Sequence, residues 1–145
     1  GPKVLEYNCR FGDPETEVVL PLLKSDLVPL MIASIEENID NESVELKAGY
    51  AIDVVLASGG YPESYEKGKI ISGLNDLDNN ILVFHAGTSM QNNQLVTSGG
   101  RVLNIVAIGD HFKGTRDFLY NNIKKVSFEK MHYRKDIGNR ALKYF

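Results

Sequence analysis

The apolar residues change period part-way along the chain. Between Pro14 and about residue 39 they keep the spacing of a helix face, and from residue 50 onward they tend to fall at every second position. The first stretch predicts two helices. One runs from Pro14 to about Lys24, stopped or kinked by Pro21, since an interior proline removes a donor and clashes with the preceding turn. The second is capped by Ser25 or Asp26 and tolerates Pro29 in its first turn. Its Leu27, Met31, Ile35 and Ile39 have the four-residue spacing of a buried stripe. Asp40-Asn41-Glu42-Ser43 is polar and turn-prone, so a boundary is expected there, dividing residues 1–41 from 42–145.

Past that boundary Tyr50, Ile52, Val54 and Leu56 alternate with other residues, and β-branched segments recur at 69–74, 81–85, 94–97 and 101–108. Asn92-Asn93 is expected to turn a hairpin, and Asn79-Asn80 to lie in another connection. A helix capped by Asp110 and running to about residue 126 carries Phe112, Leu119, Ile123 and Val126 on one stripe, and should cover the antiparallel sheet. The chain is α+β on this pattern.

The segment before Pro14 reads as extended. Glu6, Asn8 and Arg10 then project together, while Leu5, Tyr7 and Cys9 face the other way. A carboxylate and an amide oxygen two positions apart suit a hard octahedral cation such as Mg²⁺, and the Arg10 fork suits a phosphate or carboxylate. Taken alone, such a pattern is more often the solvated face of an edge strand. Asp13 before Pro14 has the form of a helix start, and Glu15 and Glu17 suit the positive end of that helix.

Composition narrows the classes. At 145 residues with 43% apolar content, the chain can build one core, or a small domain with an appended piece. A net charge of −3 argues against a nucleic-acid partner. A single cysteine leaves no disulfide within the chain and fits a reducing compartment, with Cys9 expected as a small buried hydrophobe. Membrane-length apolar runs, a P-loop and a Gly-x-Gly-x-x-Gly pattern are all absent, so a cytoplasmic protein is expected and the chain alone offers no nucleotide cradle. His85 reads as a hydrogen-bonded sheet residue, and His111 and His132 share no ligand spacing with it.

Two further groups remain open on their own chemistry. Gly99-Gly100-Arg101 is either a bulge between strands or a close-approach anion site. The basic run through Lys124, Lys130, Arg134, Lys135 and Arg140 is either a solvated face or, at Arg134-Lys135, a contact to an anionic substrate.

Several blocks in order carry a resemblance over nearly the whole chain: 4–17, 20–27, 54–62 with 65–68, 83–88, 96–103 and 133–138. Together they resemble the glycinamide ribonucleotide synthetase (phosphoribosylamine-glycine ligase) family of ATP-grasp enzymes, most closely its eukaryotic form within a multifunctional protein. The resemblance implies a C-terminal portion. Residues 1–41 would be the closing strand, turn and helix of an ATP-grasp core, and 42–145 the C-terminal domain. It further implies an ATP-dependent joining of glycine to 5-phosphoribosylamine, with Glu6 and Asn8 holding Mg²⁺ or Mn²⁺ and Arg10, Asp13 and Glu15 serving the chemistry. Gly99, Gly100, Arg101, Arg134 and Lys135 would contact substrate. The isolated chain is expected to be inactive without the segments that complete the ATP site, and its uncovered apolar surface could support a dimer. Another ATP-grasp carboxylate-amine ligase and a non-catalytic structural module are the competing readings.

Overall fold

The computed structural model describes residues 1–145, and its organising element is a central strand buried on both faces. In chain order the elements are α1 (Thr16–Leu22), α2 (Leu27–Ile35), β1 (Tyr50–Ala57), β2 (Ile81–His85), β3 (Thr88–Gln91), β4 (Gln94–Thr97), β5 (Arg101–Gly109) and α3 (Phe112–Ile123). The main sheet has the order β1-β5-β2, antiparallel throughout, and β3 pairs with β4 in a separate hairpin. The mixed fold with a helix-covered antiparallel sheet agrees with the sequence pattern.

The alternation in β1 sets the layers. Ile52, Val54 and Leu56 face inward beside Leu103, Ile105 and Ala107 of β5, and Leu119 and Ile123 of α3 close that face together with Val126 and Phe128. Each of these side chains larger than alanine contributes roughly 1.5–3 kcal/mol by leaving water. Residues 102–107 are buried without a break, because β5 lies between two partners and has a layer on each side. On the opposite face α1 lies against β1 and β5. The chain after α2 returns to α1, where Leu23 bridges Leu46 and the Lys24 N–H donates to the Glu45 carbonyl at 2.9 Å.

Turn chemistry explains the hairpin. Asn92 and Asn93 have φ of 49° and 61°, the left-handed pair of a type I′ turn, and they join β3 to β4 with Gln91 opposite Gln94. Strand β3 itself, Thr88–Gln91, was not marked by the alternation, since its residues are mostly polar.

Other elements differ from the sequence pattern. Residues 4–10 form no strand, because nothing in the chain pairs with them, and Leu5, Tyr7 and Cys9 are exposed rather than facing a core. Helix α1 begins at Thr16, after Glu15 and without a side-chain cap; Asp13 is engaged elsewhere. It accommodates Pro21 only in its last turn. Asp26 does cap α2, accepting from the Val28 N–H at 2.9 Å. Yet of the proposed stripe Met31, Ile35 and Ile39 are exposed and Leu27 is half-buried; Ala33 alone in α2 is buried. The stripe has nothing to pack on within the chain.

Residues 69–74 make only isolated bridges, Ile70 to Val96 and Ser72 to Ser127, before Gly73 (φ 85°) turns the backbone into a short 3₁₀ segment. Asp110 does not cap α3. His111 holds that position, and its carbonyl accepts both the Thr115 N–H and the Thr115 hydroxyl. The helix ends at Ile123, where the chain turns so that Ser127 can pair with Ser72.

Candidate functional site

The end of β1 and the start of β5 frame a cleft. Opposite Leu56 stands Leu103, but opposite Ala57 stands Arg101, so one extra residue on β5 breaks the register there. A bulge of this kind re-aims the side chains beside it. Gly99 and Gly100 lead into it for want of space, not for left-handed backbone. A methyl group on Gly100 would meet Cε2 of the Tyr61 ring at 2.6 Å, and one on Gly99 would come within 3.0 Å of the Gly87 Cα. Ser58 fastens the pair to β1: its hydroxyl donates to the Gly99 carbonyl and its N–H to the Gly100 carbonyl, both at 2.8 Å.

Arg101 thereby reaches a cleft of about 360 Å³ whose walls include Pro14, Tyr61, Pro62, His132 and Arg134. One guanidinium nitrogen donates to the Asp13 main-chain carbonyl at 3.0 Å, and another lies 3.4 Å from the Asp13 carboxylate. Asp13, which the pattern placed at a helix cap, instead charge-pairs the arginine of the glycine block. On the far wall Arg134 forms two hydrogen bonds to the Asp136 carboxylate, at 2.7 and 3.0 Å. This contact lowers the Asp136 pKa and raises that of Arg134 further.

The Arg134 segment is held by α3. Tyr120 donates its hydroxyl hydrogen to the Arg134 carbonyl at 2.8 Å, and the Arg116 guanidinium donates to the carbonyls of Lys135 and Ile137 at 2.9 and 2.8 Å. The backbone of Lys135 is therefore fixed, but Lys135 does not line the cleft. Two arginines beside an aromatic ring have the chemistry to hold a sugar phosphate, with the guanidinium forks on the phosphate and the ring face on the sugar.

The first block forms a second cluster. Glu6 and Asn8 are exposed and their side chains turn to the same side, with Asn8 Nδ2 3.5 Å from Glu6 Oε1. Neighbouring ligands of an octahedral Mg²⁺ lie roughly 3 Å apart, so turning the Asn8 amide over would present two oxygens at nearly that separation. The donor set and spacing fit a hard cation carried mainly by phosphates and water. They do not make a self-sufficient protein cage, and no group of three or more His, Cys, Asp or Glu side chains could hold a metal. Arg10 donates to the Phe11 carbonyl and borders a separate depression with Cys9, Phe11 and Met31. Glu15 folds its carboxylate over Gly12.

His85 joins Thr88 across the turn, with 3.0 Å between Nδ1 and the hydroxyl oxygen, as expected for a sheet residue. His132, which shows no ligand spacing in the sequence, and Tyr133 of the 133–138 block enter the cleft because Ala57 bridges His132. That pairing joins distant segments and leaves no local signature. Asp53 was missed. Its β1 position, out of phase with Ile52 and Val54, puts it on the α1 face, where burial and the nearby Glu17 and Asp13 carboxylates lift its pKa from 3.8 to about 7.

Comparison with known proteins supplies a family context. Residues 51–140 match the family model described as phosphoribosylglycinamide synthetase, C domain. A phosphoribosylamine-glycine ligase of Caldanaerobacter subterraneus is 50% identical over 138 residues, covering 95% of this chain and 33% of that protein. A bifunctional purine biosynthetic protein of Pichia angusta is 48% identical over 143 residues, covering 98% of this chain and 18% of that one. The crystal structure of a phosphoribosylamine-glycine ligase from Thermotoga maritima superposes with a TM-score of 0.79 at 42% identity, covering 94% of this chain and 33% of that one. The chain thus spans about a third of the length of the ligases that it matches.

Proposed function

The chain belongs to the phosphoribosylglycinamide synthetase C-domain family, and from that membership we propose that it serves a phosphoribosylamine-glycine ligase as the portion that closes the sugar-phosphate side of the active site. The intact enzyme would use ATP to convert glycine to glycyl phosphate. The amine of 5-phosphoribosylamine then attacks the acyl carbon, giving glycinamide ribonucleotide and phosphate beside ADP.

The observation that carries this reading is the pairing of Asp13, from the first block, with Arg101, from the glycine block. It ties the segment bearing Glu6, Asn8 and Arg10 to the cleft bearing Arg101 and Arg134. Transfer of a phosphoryl group to a carboxylate depends on positioning and charge neutralisation and needs no nucleophilic side chain. Arg101 and Arg134 would bind the substrate phosphate, with Gly100 allowing Tyr61 to lie close against the backbone. Gly99, whose carbonyl accepts from the Ser58 hydroxyl, would keep that turn in place, and Lys135 would add positive charge from outside the cleft. Arg10 would face the transferred phosphoryl group, with Asp13 and Glu15 shaping the substrate side. Glu6 and Asn8 would hold Mg²⁺ or Mn²⁺, whose contribution when bound is to neutralise the ATP phosphates.

We assign residues 1–41 to the closing part of an ATP-grasp core, in which 4–10 would become a strand only beside other segments of the ligase, with 42–145 as the C-terminal domain. The exposed Leu5, Tyr7, Met31, Ile32 and Ile35 support this arrangement, because such apolar surface calls for a cover from other segments of the ligase. The reaction itself is the test. The intact protein should release ADP only when ATP, Mg²⁺, glycine and phosphoribosylamine are all present, and the chain by itself should not. Release driven by a different carboxylate, with glycine inert, would assign the site to another carboxylate-amine ligase.

A further inference from the structure

A buried polar layer lies under α1, apart from the residues assigned to substrate. Both carboxylate oxygens of Asp53, Oε2 of Glu17 and both amide atoms of Asn104 are buried and have no hydrogen-bond partner. Asp53 stands opposite Val106 and Val55 opposite Asn104, so Asp53 and Asn104 project from the same face of the sheet. Glu17 reaches that face from α1, which packs on β1 and β5. Orphaned buried groups are uncommon in native proteins, and here they come from three elements at one interface.

The charged groups that face Asp53 are carboxylates: Glu17 from α1, and Asp13 from the turn before it. Arg101 of β5 enters this layer only through its pair with Asp13, and the β5 neighbours Val106 and Asn104 carry no charge. An ionised Asp53 would therefore be desolvated and faced by like charge, offset only in part by the nearby Val54 N–H, whereas a protonated one is tolerated.

We propose that the contact between α1 and the sheet is a proton-operated latch, seated while Asp53 carries a carboxyl proton and released when that proton passes to water. Release carries Glu17 outward and slackens the Asp13–Arg101 pair, because Asp13 lies in the turn that leads directly into α1. The latch stands on the packing of α1 and is independent of the ligase reading.

The raised Asp53 pKa fixes the direction. A group whose seated-state value of about 7 exceeds its ordinary 3.8 favours the seated state most below pH 4. That preference falls by up to tenfold per pH unit as pH rises, and levels off above about 7.

Amide hydrogen exchange on this chain, corrected for the intrinsic pH dependence of exchange, reads the latch directly. Protection of the α1 amides should fall at least tenfold between pH 5 and pH 7.5 while β5 amides hold theirs, and Asp53→Asn should make α1 protection flat across that range. Constant α1 protection in the unaltered chain, or an unchanged pH response in Asp53→Asn, overturns the proposal. If Asp53→Asn fails to fold, Glu17→Gln decides. Removing the neighbouring charge should bring the levelling-off to lower pH, and a levelling-off that does not move overturns the latch equally.

Discussion

Asp13 and Arg101 lie 88 positions apart in sequence and meet twice in space, through the Asp13 carbonyl at 3.0 Å and its carboxylate at 3.4 Å. Each side chain is about 40% exposed, so the pair is positioned but not desolvated. Its value is geometric: it keeps the Arg101 fork at the cleft mouth. An exposed ion pair contributes roughly 0–1 kcal/mol.

Asp13→Asn should therefore lower the stability of the chain by no more than about 1 kcal/mol. In the intact ligase the same change should alter the KM for phosphoribosylamine with little effect on that for ATP. Chemical denaturation and steady-state kinetics check the two halves separately. A loss of stability well beyond that bound would mean that Asp13 anchors the fold.

Gly100→Ala should be more disruptive than its size suggests, because the added methyl would stand 2.6 Å from Tyr61 Cε2. Displacing the ring or opening the bulge costs on the order of 1–3 kcal/mol. Thermal unfolding gives the stability, and the near-ultraviolet tyrosine signal reports the ring. An unchanged melt and spectrum would show that the ring moves aside freely.

Glu6→Ala should leave the unfolding free energy within about 0.5 kcal/mol, because the residue is exposed and its one side-chain hydrogen bond is to Asn8. Under the proposed metal role the intact ligase should nevertheless lose most of its kcat, since the phosphate-bound cation would lose a ligand. Near-normal turnover in a folded variant would remove Glu6 from the metal site.

Asp53 sets a pH dependence in global stability. Its folded-state pKa of about 7 lies above the ordinary 3.8, so its contribution is complete below pH 4 and disappears as pH rises through 7. Asp53→Asn should thus stabilise the chain at pH 7.5, by on the order of 2 kcal/mol after allowance for partial solvent screening, and change little at pH 4.5. The opposite trend is expected from Glu66, Asp78, Asp117 and Asp136, whose pKa values are lowered by lysine or arginine partners, so that their help fades in acid. Melting curves of both chains at the two pH values test the sign.

Local chemistry was the part of this molecule most readable in its sequence. The β1 alternation, the long apolar run of β5, the Asn92-Asn93 turn and the Asp26 cap each depend on neighbouring residues, and each appears as the pattern predicts. The failures depend on partners. A strand at 4–10 needs another strand beside it, and the α2 stripe needs a surface to cover; the chain supplies neither. In the cleft, Arg101 and Arg134 were marked by residue type and by family resemblance. The Asp13 contact, the entry of His132 and the burial of Asp53 arise from long-range pairing, which spacing along one chain does not encode.

The central claim is that Arg101 binds the phosphate of the sugar substrate. Steady-state kinetics of Arg101→Ala in the intact ligase test it most directly. Loss of a charge-assisted fork should raise the KM for phosphoribosylamine by roughly 10- to 100-fold while the KM values for ATP and glycine stay within about twofold. An unchanged phosphoribosylamine KM, or an equal rise for all three substrates, would contradict the account.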